Sequence, residues 1–393
     1  MAPPRAEISV APSPRPLLLL AFLFAAIPFG AEASRLASAP RRAPAEARRS
    51  VVEIASMKRL VERGLLEYAP REAAAPAYDE FGGELAVGTR DGHLHLFEGS
   101  GREIWKVRLG SAPTGPALFT ETSIFVGTAN GLLFSLDRFD GAVLWSSQLR
   151  AQVLMPMVEE GGTLVVGTNR DEVHAIDPET GETIWVYRRS VPRDLSVRGG
   201  VGVTVEGDRV FAGFSDGGLT ALGLEDGRIL WEVATTAGTA RRFPDADAVP
   251  VVRDGTVYTT VFNDGVYAFD ARTGAIRWRQ DAQGAHSLTL HEDLLLVGGA
   301  RQALALQAET GAPVWSLPLG ASYVQRPVVL RRIAFLTGPQ GLRMVEARTG
   351  RPLEIFQPGS GFDAPVVAAR DRVFALSNLG ILYELRPVVE RSP

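Results

Sequence analysis

The chain has 393 residues, 46% hydrophobic and 22% charged, with a formal net charge of −4. That balance is typical of a soluble globular protein and offers no global basic character for nucleic acid or an anionic membrane surface. No cysteine occurs, which excludes disulfides, thiolate metal sites, a cysteine nucleophile and a lipid-modified N-terminal cysteine.

Residues 1–33 read as a secretory signal peptide. Arg5 and Arg15 precede an apolar run from Leu17 to Phe29, and Ala31-Glu32-Ala33 supplies an A-x-A cleavage signal. The run is short for a membrane span and contains Pro28. Removal after Ala33 is expected; an uncleaved anchor or a misplaced start codon is the alternative. A signal or an anchor would place the body in an extracytoplasmic space.

Residues 34–50 are mostly alanine, proline and arginine, with Arg35, Arg41, Arg42, Arg48 and Arg49 and no apolar periodicity, the pattern of a basic disordered linker. In 51–64, Val51, Ile54, Ala55 and Val61 fall at helical spacing and predict a short helical lead-in lying on the folded body, with a partner-binding segment as the alternative.

From residue 65 to 386 one unit repeats: V-G-T-x-x-G-x-L-x-x-L-[D/E]-x-x-T-G-x-x-x-W. Trp105, Trp145, Trp185, Trp231, Trp278 and Trp315 are all the tryptophans of the chain, and each stands four residues after a glycine. Their gaps are 40, 40, 46, 47 and 37 residues. A seventh occurrence follows Gly350, with Glu354 in the tryptophan's place and Phe356 the nearest aromatic.

Each unit holds four short strand signals. In the second they are Pro116 to Phe119, Ser123 to Gly127, Leu132 to Leu136 and Ala142 to Gln148, separated by turn residues. Four strands per roughly 40-residue unit in tandem predict a β-propeller of antiparallel blades. An eighth unit, through Val366, Val373 to Leu376 and Ile381 to Tyr383, lacks its fourth strand. Leu65 to Tyr68 is expected to supply it, because Leu65 precedes Pro76 by the interval that separates Trp105 from Pro116. Pairing the termini would close the ring and remove exposed edges. Eight blades are therefore expected, with seven as the alternative and 387–393 as a tail.

No catalytic constellation stands out. His93 and His95 share one face of a strand without a visible third ligand, and His174 occupies the repeat position of His95, so no metal site is expected. Acidic residues such as Asp137, Asp177 and Asp270 recur with the repeat and belong to its turns.

The glycine-and-tryptophan unit resembles the repeat of propellers similar to pyrroloquinoline quinone (PQQ) enzymes. Such an enzyme would need a cofactor platform and calcium ligands, often with adjacent cysteines; this chain has no cysteine, and no cofactor is expected. A sharper resemblance lies in the two stretched gaps. One holds Asp194-Leu195-Ser196-Val197-Arg198-Gly199, the other Asp245-Ala246-Asp247 before the apolar strand Val249 to Val252. Both look like the family of the outer-membrane protein assembly factor BamB, whose pattern there is L-S-L-R-G and D-x-D.

The resemblance implies an eight-bladed periplasmic propeller at the outer membrane, without catalytic activity, that docks onto the periplasmic domains of the barrel-inserting protein BamA. Unfolded outer-membrane protein clients would be further partners, nucleic acid would not, and the protein would be a monomer. The partner-binding residues it implies are Leu195, Val197, Arg198, Asp245 and Asp247. Many members of the family carry an acylated cysteine; this chain has none, so retention would fall to partners, to the basic linker or to an uncleaved signal. Independently of the resemblance, insertions in a repeat array tend to mark a binding face, although Arg198 and the aspartates could also bridge each other. A sensor or generic interaction propeller with another periplasmic partner is the alternative function.

Overall fold

Each repeat unit folds as one antiparallel sheet. In the second blade, Leu118–Phe119, Ser123–Gly127, Leu132–Asp137 and Val143–Gln148 pair in chain order. The computed structural model describes residues 50–388 apart from 63, 65–67, 69, 190–199 and 236–247, and among them eight such blades form a ring and no helix occurs. The blades cover 77–108, 118–148, 158–188, 202–234, 251–281, 285–323, 328–356 and 367–387, the last completed by Val52–Arg59. In the sixth blade Leu294–Gln307 serves as second and third strand, its halves pairing with Ala285–His291 and Pro313–Tyr323.

The middle strands are buried on both faces between neighbouring blades. Ser123–Gly127, Thr163–Gly167 and Thr256–Val261 are buried throughout, so they read as continuous apolar or small-residue runs. The outer strands alternate, as in Ile276–Asp281. Eight apolar clusters result, each shared by two adjacent blades. The cluster that joins Leu85, Val87 and Phe97 to Phe374, Leu376 and Leu382 unites the first blade with the eighth and closes the ring.

The tryptophan makes the joint between blades. On every outer strand one residue is bulged out of register next to this position, which turns the side chain toward the following blade. The indole N–H then donates to a backbone carbonyl there: Trp105 to Arg138, Trp145 to Pro178, Trp185 to Leu224, Trp231 to Ala271, Trp278 to Ala308 and Trp315 to Ala347, all at 2.9–3.0 Å. Its ring lies on the next blade's repeat glycine. A Cβ on Gly181 would sit 2.6 Å from the Trp145 ring, and this glycine also holds φ at 74° in its turn. From Gly141 onward, the glycine four residues before the tryptophan position therefore serves the previous tryptophan, whereas Gly101 meets no ring. The turn aspartates behave as expected: Asp177 accepts from the N–H groups of Glu179 and Thr180 at 2.8 and 3.0 Å.

Ring closure by the two termini is present, but the closing strand is Val52–Arg59, not Leu65 to Tyr68. The expected helical lead-in is this strand; its burial shows one buried residue at the start and mostly exposed residues after it. Leu65, Leu66 and Glu67 lie outside the described residues, and the propeller begins at residue 52 rather than 65. Ser56 faces Glu384 as Trp105 faces Leu96, so Ser56 occupies the tryptophan's register in the eighth blade.

Two joints lack an indole, and charged groups replace it. Between the seventh and eighth blades, Glu354 accepts from Ser50 Oγ at 2.8 Å and from the Val51 N–H at 2.7 Å. There the neighbouring sheet has no turn from third to fourth strand, so the start of the closing strand offers donors where other blades offer a carbonyl. Between the eighth and first blades, Arg372 Nη1 donates to the Gly99 carbonyl at 3.1 Å and is held by Glu384 at 2.9 Å. Glu384 also accepts from Ser56 Oγ at 3.1 Å. The same seam holds Glu72, fully buried, which accepts from the Arg90 N–H at 2.9 Å and pairs with its guanidinium. The Glu72 N–H donates to Asn378 Oδ1 of the eighth blade at 3.3 Å.

If glycine and indole form one joint, Trp145→Phe should cost about 1–3 kcal/mol through the carbonyl left without its donor. Trp145→Ala should cost roughly 3–5 kcal/mol. Gly181→Ala should be strongly destabilising alone and cost less in the Trp145→Ala background, as read by urea midpoints of the four proteins. Additive losses would show that the glycine serves its turn only. A second expectation concerns pH. Burial pushes the Glu72 carboxyl up to about 7 from 4.5, against the opposing pull of Arg90. A carboxyl raised in the folded state contributes stability that is present below pH 4.5 and lost as pH rises through about 7. The unfolding free energy of the wild type relative to Glu72→Gln should therefore fall across that window; a flat difference would show that Glu72 is ionised throughout.

Candidate partner-binding face

The connections from each outer strand to the next blade's innermost strand converge on the ring's axis. Thr114, Pro156, Val249, Arg326 and Pro365, each from a different connection, line one chamber there with Leu288 of the sixth blade's innermost strand. The two long connections belong to this set. The first leaves the third blade at Arg189 and returns at Gly200; the second leaves the fourth blade at Thr235 and returns at Ala248.

Both departures are fastened to one turn of the fourth blade, Phe214 to Gly218. The Arg189 guanidinium pairs with Asp216 at 2.6 Å and Glu232 at 2.9 Å, donates to Thr220 Oγ1 at 3.2 Å and lies 5.3 Å over the Phe214 ring. Burial opposes its charge, but these two carboxylates outweigh burial and raise its pKa. Thr235 Oγ1 donates to the Gly217 carbonyl at 2.5 Å. Ser215 in the same turn is held from the third blade, its N–H and hydroxyl donating to Asp171 at 2.9 and 2.7 Å.

A second cluster backs the Thr235 root. Tyr267 shares its hydroxyl with Asp264 and accepts from Arg279 Nε at 3.0 Å, while Arg279 Nη2 reaches Asp264 at 2.7 Å. Burial and the Asp264 carboxylate push the Tyr267 hydroxyl up to about 12, so it stays a proton donor. The return points are tight. A Cβ on Gly202 would lie 2.6 Å from the Val249 N, so the returning strand rests on bare backbone.

The residues expected to bind a partner, Leu195, Val197, Arg198, Asp245 and Asp247, lie outside the described residues. What is described is the root from which both connections spring. Sequence reasoning missed Arg189, Thr235, Asp216, Tyr267 and Arg279. A signal for the first two exists: four residues after each tryptophan stand Leu109, Leu149, Ala282 and Leu319, all buried, except after Trp185 and Trp231, where Arg189 and Thr235 stand. The two polar departures coincide with the two stretched gaps.

The histidines take blade positions. His95 Nδ1 lies 2.7 Å from Glu103 and its ring stacks on Phe97; His174 Nε2 lies 3.1 Å from Glu172. Burial lowers the pKa of both, outweighing the carboxylates. Among the described residues no group of three or more histidine or acidic side chains could hold a metal ion, and no helix is long and apolar enough to cross a membrane.

Fold and repeat define an eight-bladed propeller of the PQQ-like repeat class, distinguished by two long connections rooted on one turn. The family model described as outer membrane protein assembly factor BamB matches residues 90–316 and 263–387. The chain belongs to that family. Relatives of the same description include one from Burkholderia pseudomallei, 28% identical over 73% of this chain and 77% of the relative, and one from Yersinia pestis, 24% identical over 72% and 77%. One from Nitrosomonas eutropha is 32% identical over 55% of this chain and 53% of the relative, so the chain spans about half of that protein. The crystal structure of BamB from Moraxella catarrhalis superposes with a TM-score of 0.73 at 21% identity, over 86% of this chain and all of that one. A quinohemoprotein alcohol dehydrogenase from Comamonas testosteroni superposes with a TM-score of 0.68 at 13% identity, over 88% and 78%. Likeness at these identities shows the fold alone.

Arg189→Leu, which restores the repeat's apolar residue, should still destabilise the protein by about 1–3 kcal/mol because Asp216 and Glu232 lose their cation. Thermal melting beside Leu149→Ala, a cavity mutant at the same repeat position, would check it. A neutral or stabilising Arg189→Leu would show that the root is dispensable.

Proposed function

We propose that the protein is a non-catalytic periplasmic scaffold of the outer-membrane β-barrel assembly machinery that docks onto the periplasmic domains of the barrel-inserting protein BamA. One observation carries the docking part: the two connections at the stretched tryptophan gaps are neighbours and are rooted on the same turn, Phe214 to Gly218. Loops held at fixed roots can present side chains with little loss of freedom on binding. Leu195 and Val197 are the apolar anchors of this reading, Arg198 its cation, and Asp245 and Asp247 its paired carboxylates. Family membership supports the assembly role, since the relatives bear the name of outer membrane assembly factors.

In this role the protein acts as a monomer at the periplasmic side of the outer membrane, with unfolded barrel proteins as secondary clients. In this reading, its partners, the basic linker or an uncleaved signal retain it there. Pull-down of BamA from the same organism tests the docking. Arg198→Glu should recover at least tenfold less BamA than wild type at about 0.15 M salt, because reversal places like charges across the contact. Equal recovery, with unchanged melting of the variant, would overturn the docking.

A further inference from the structure

The axial chamber combines one uncommitted charge with apolar walls. Six of the eight connections and the innermost strand of the sixth blade contribute to its lining, so it sits on the ring's axis, and its volume is about 260 Å³. Leu154, Met155, Val249 and Leu288 form apolar wall, with Arg326 among them. The Arg326 side chain is open to the solvent of the bore, yet the surrounding protein depresses its pKa by desolvation. Among the described residues no carboxylate lies within ion-pair reach of it. Arg90, Arg189, Arg279 and Arg372, by contrast, each pair with a carboxylate.

The chamber's one acid is already engaged. Asp363 accepts from the Tyr323 hydroxyl at 3.1 Å and faces Arg71 at 3.4 Å, while Gln325 Nε2 donates to the Asp363 carbonyl at 2.8 Å. The net demand of the chamber is therefore for an anion. A guanidinium with free donors in a partly desolvated bore favours a carboxylate, which it can bind in two parallel hydrogen bonds. The walls favour an apolar body beside that carboxylate, and the volume falls just under the range of drug-sized pockets, about 300–1,000 Å³, so the body must be compact.

We propose that the axial chamber is a binding site for a carboxylate borne on a compact apolar group, with Arg326 holding the carboxylate and Leu154, Met155 and Leu288 enclosing the apolar part. The ligand's source is a free small acid or the C-terminal residue of a peptide chain; both present the same chemistry. The site meets the second docking connection only at its return, Ala248 and Val249, and shares none of the residues assigned to docking; its test does not involve BamA.

Titration calorimetry with N-acetyl-L-phenylalanine, N-acetyl-L-phenylalaninamide and acetate separates the two halves of the ligand. The first should bind, and the amide and acetate should each bind at least tenfold more weakly. Arg326→Gln should weaken N-acetyl-L-phenylalanine on the order of tenfold or more, and Arg326→Lys less. A tripeptide ending in phenylalanine, with free or amidated C-terminus, distinguishes the sources: tighter binding of the free-ended peptide than of the single residue points to a chain terminus, weaker binding to a small acid. Because Arg326 has no partner to lose, Arg326→Gln should melt at the wild-type temperature. Equal binding of acid and amide, unchanged binding by Arg326→Gln, or no binding of any probe would overturn the site. Substantially earlier melting of Arg326→Gln would instead assign the arginine a structural role and overturn it as well.

Discussion

The ring depends on a joint made of an indole, a glycine and a carbonyl. Each blade has little core of its own; its apolar faces are buried only against its neighbours, in eight shared clusters. Stability is then largely a sum of interface terms, as in other repeat arrays, with the difference that the array bites its own tail. In six of these interfaces the indole places a large apolar surface against the neighbour's glycine and fixes the register with one hydrogen bond. The glycine is required twice over, by the left-handed turn and by the ring that lies on it. Packing and turn chemistry agree at this residue, which is why the motif recurs with so little variation.

The two interfaces without an indole show what the joint must accomplish chemically. Wherever a turn joins third to fourth strand, the following carbonyl points at the preceding blade and needs a donor. Where the chain ends interrupt that turn, the unmet groups are an N–H and a hydroxyl, and Glu354 supplies an acceptor. At Gly99 the carbonyl persists but Ser56 is too short to reach it, and Arg372 spans the gap with Glu384 as its counter-charge. Closure therefore exchanges a neutral joint for two charged ones, and these lie on either side of the strand that joins the termini.

Much of the architecture was legible in the sequence because it is periodic. The tryptophan register, the strand boundaries of the second blade, the turn aspartates and the missing fourth strand all follow from one repeated unit. The closing strand was misplaced for a physical reason. Val52–Arg59 is exposed over most of its length, so it carries no buried alternation, and Val51, Ile54, Ala55 and Val61 fall into an accidental helical spacing. Leu65 lay at the right interval before Pro76 only because the connection into the first blade is longer than the others. The roots of the long connections were hidden differently. Arg189 and Thr235 look ordinary one by one, and only comparison across repeats shows them to be polar where the other units place buried apolar side chains.

A shared fold leaves function to the places where the repeat is broken. The quinohemoprotein dehydrogenase superposes on most of this chain, and that likeness reaches only as far as the blades. What separates one propeller from another is carried by the connections around the axis, which lie outside the indole, glycine and carbonyl joints. In this chain those connections diverge in two ways. Two of them are lengthened and tied to a common turn, which suits a surface that must meet a macromolecule in one orientation. The others close on a small bore and leave a single guanidinium unanswered within it. An unpaired cation among apolar walls contributes nothing to folding that a neutral side chain would not. Its presence is explained by a ligand rather than by the ring.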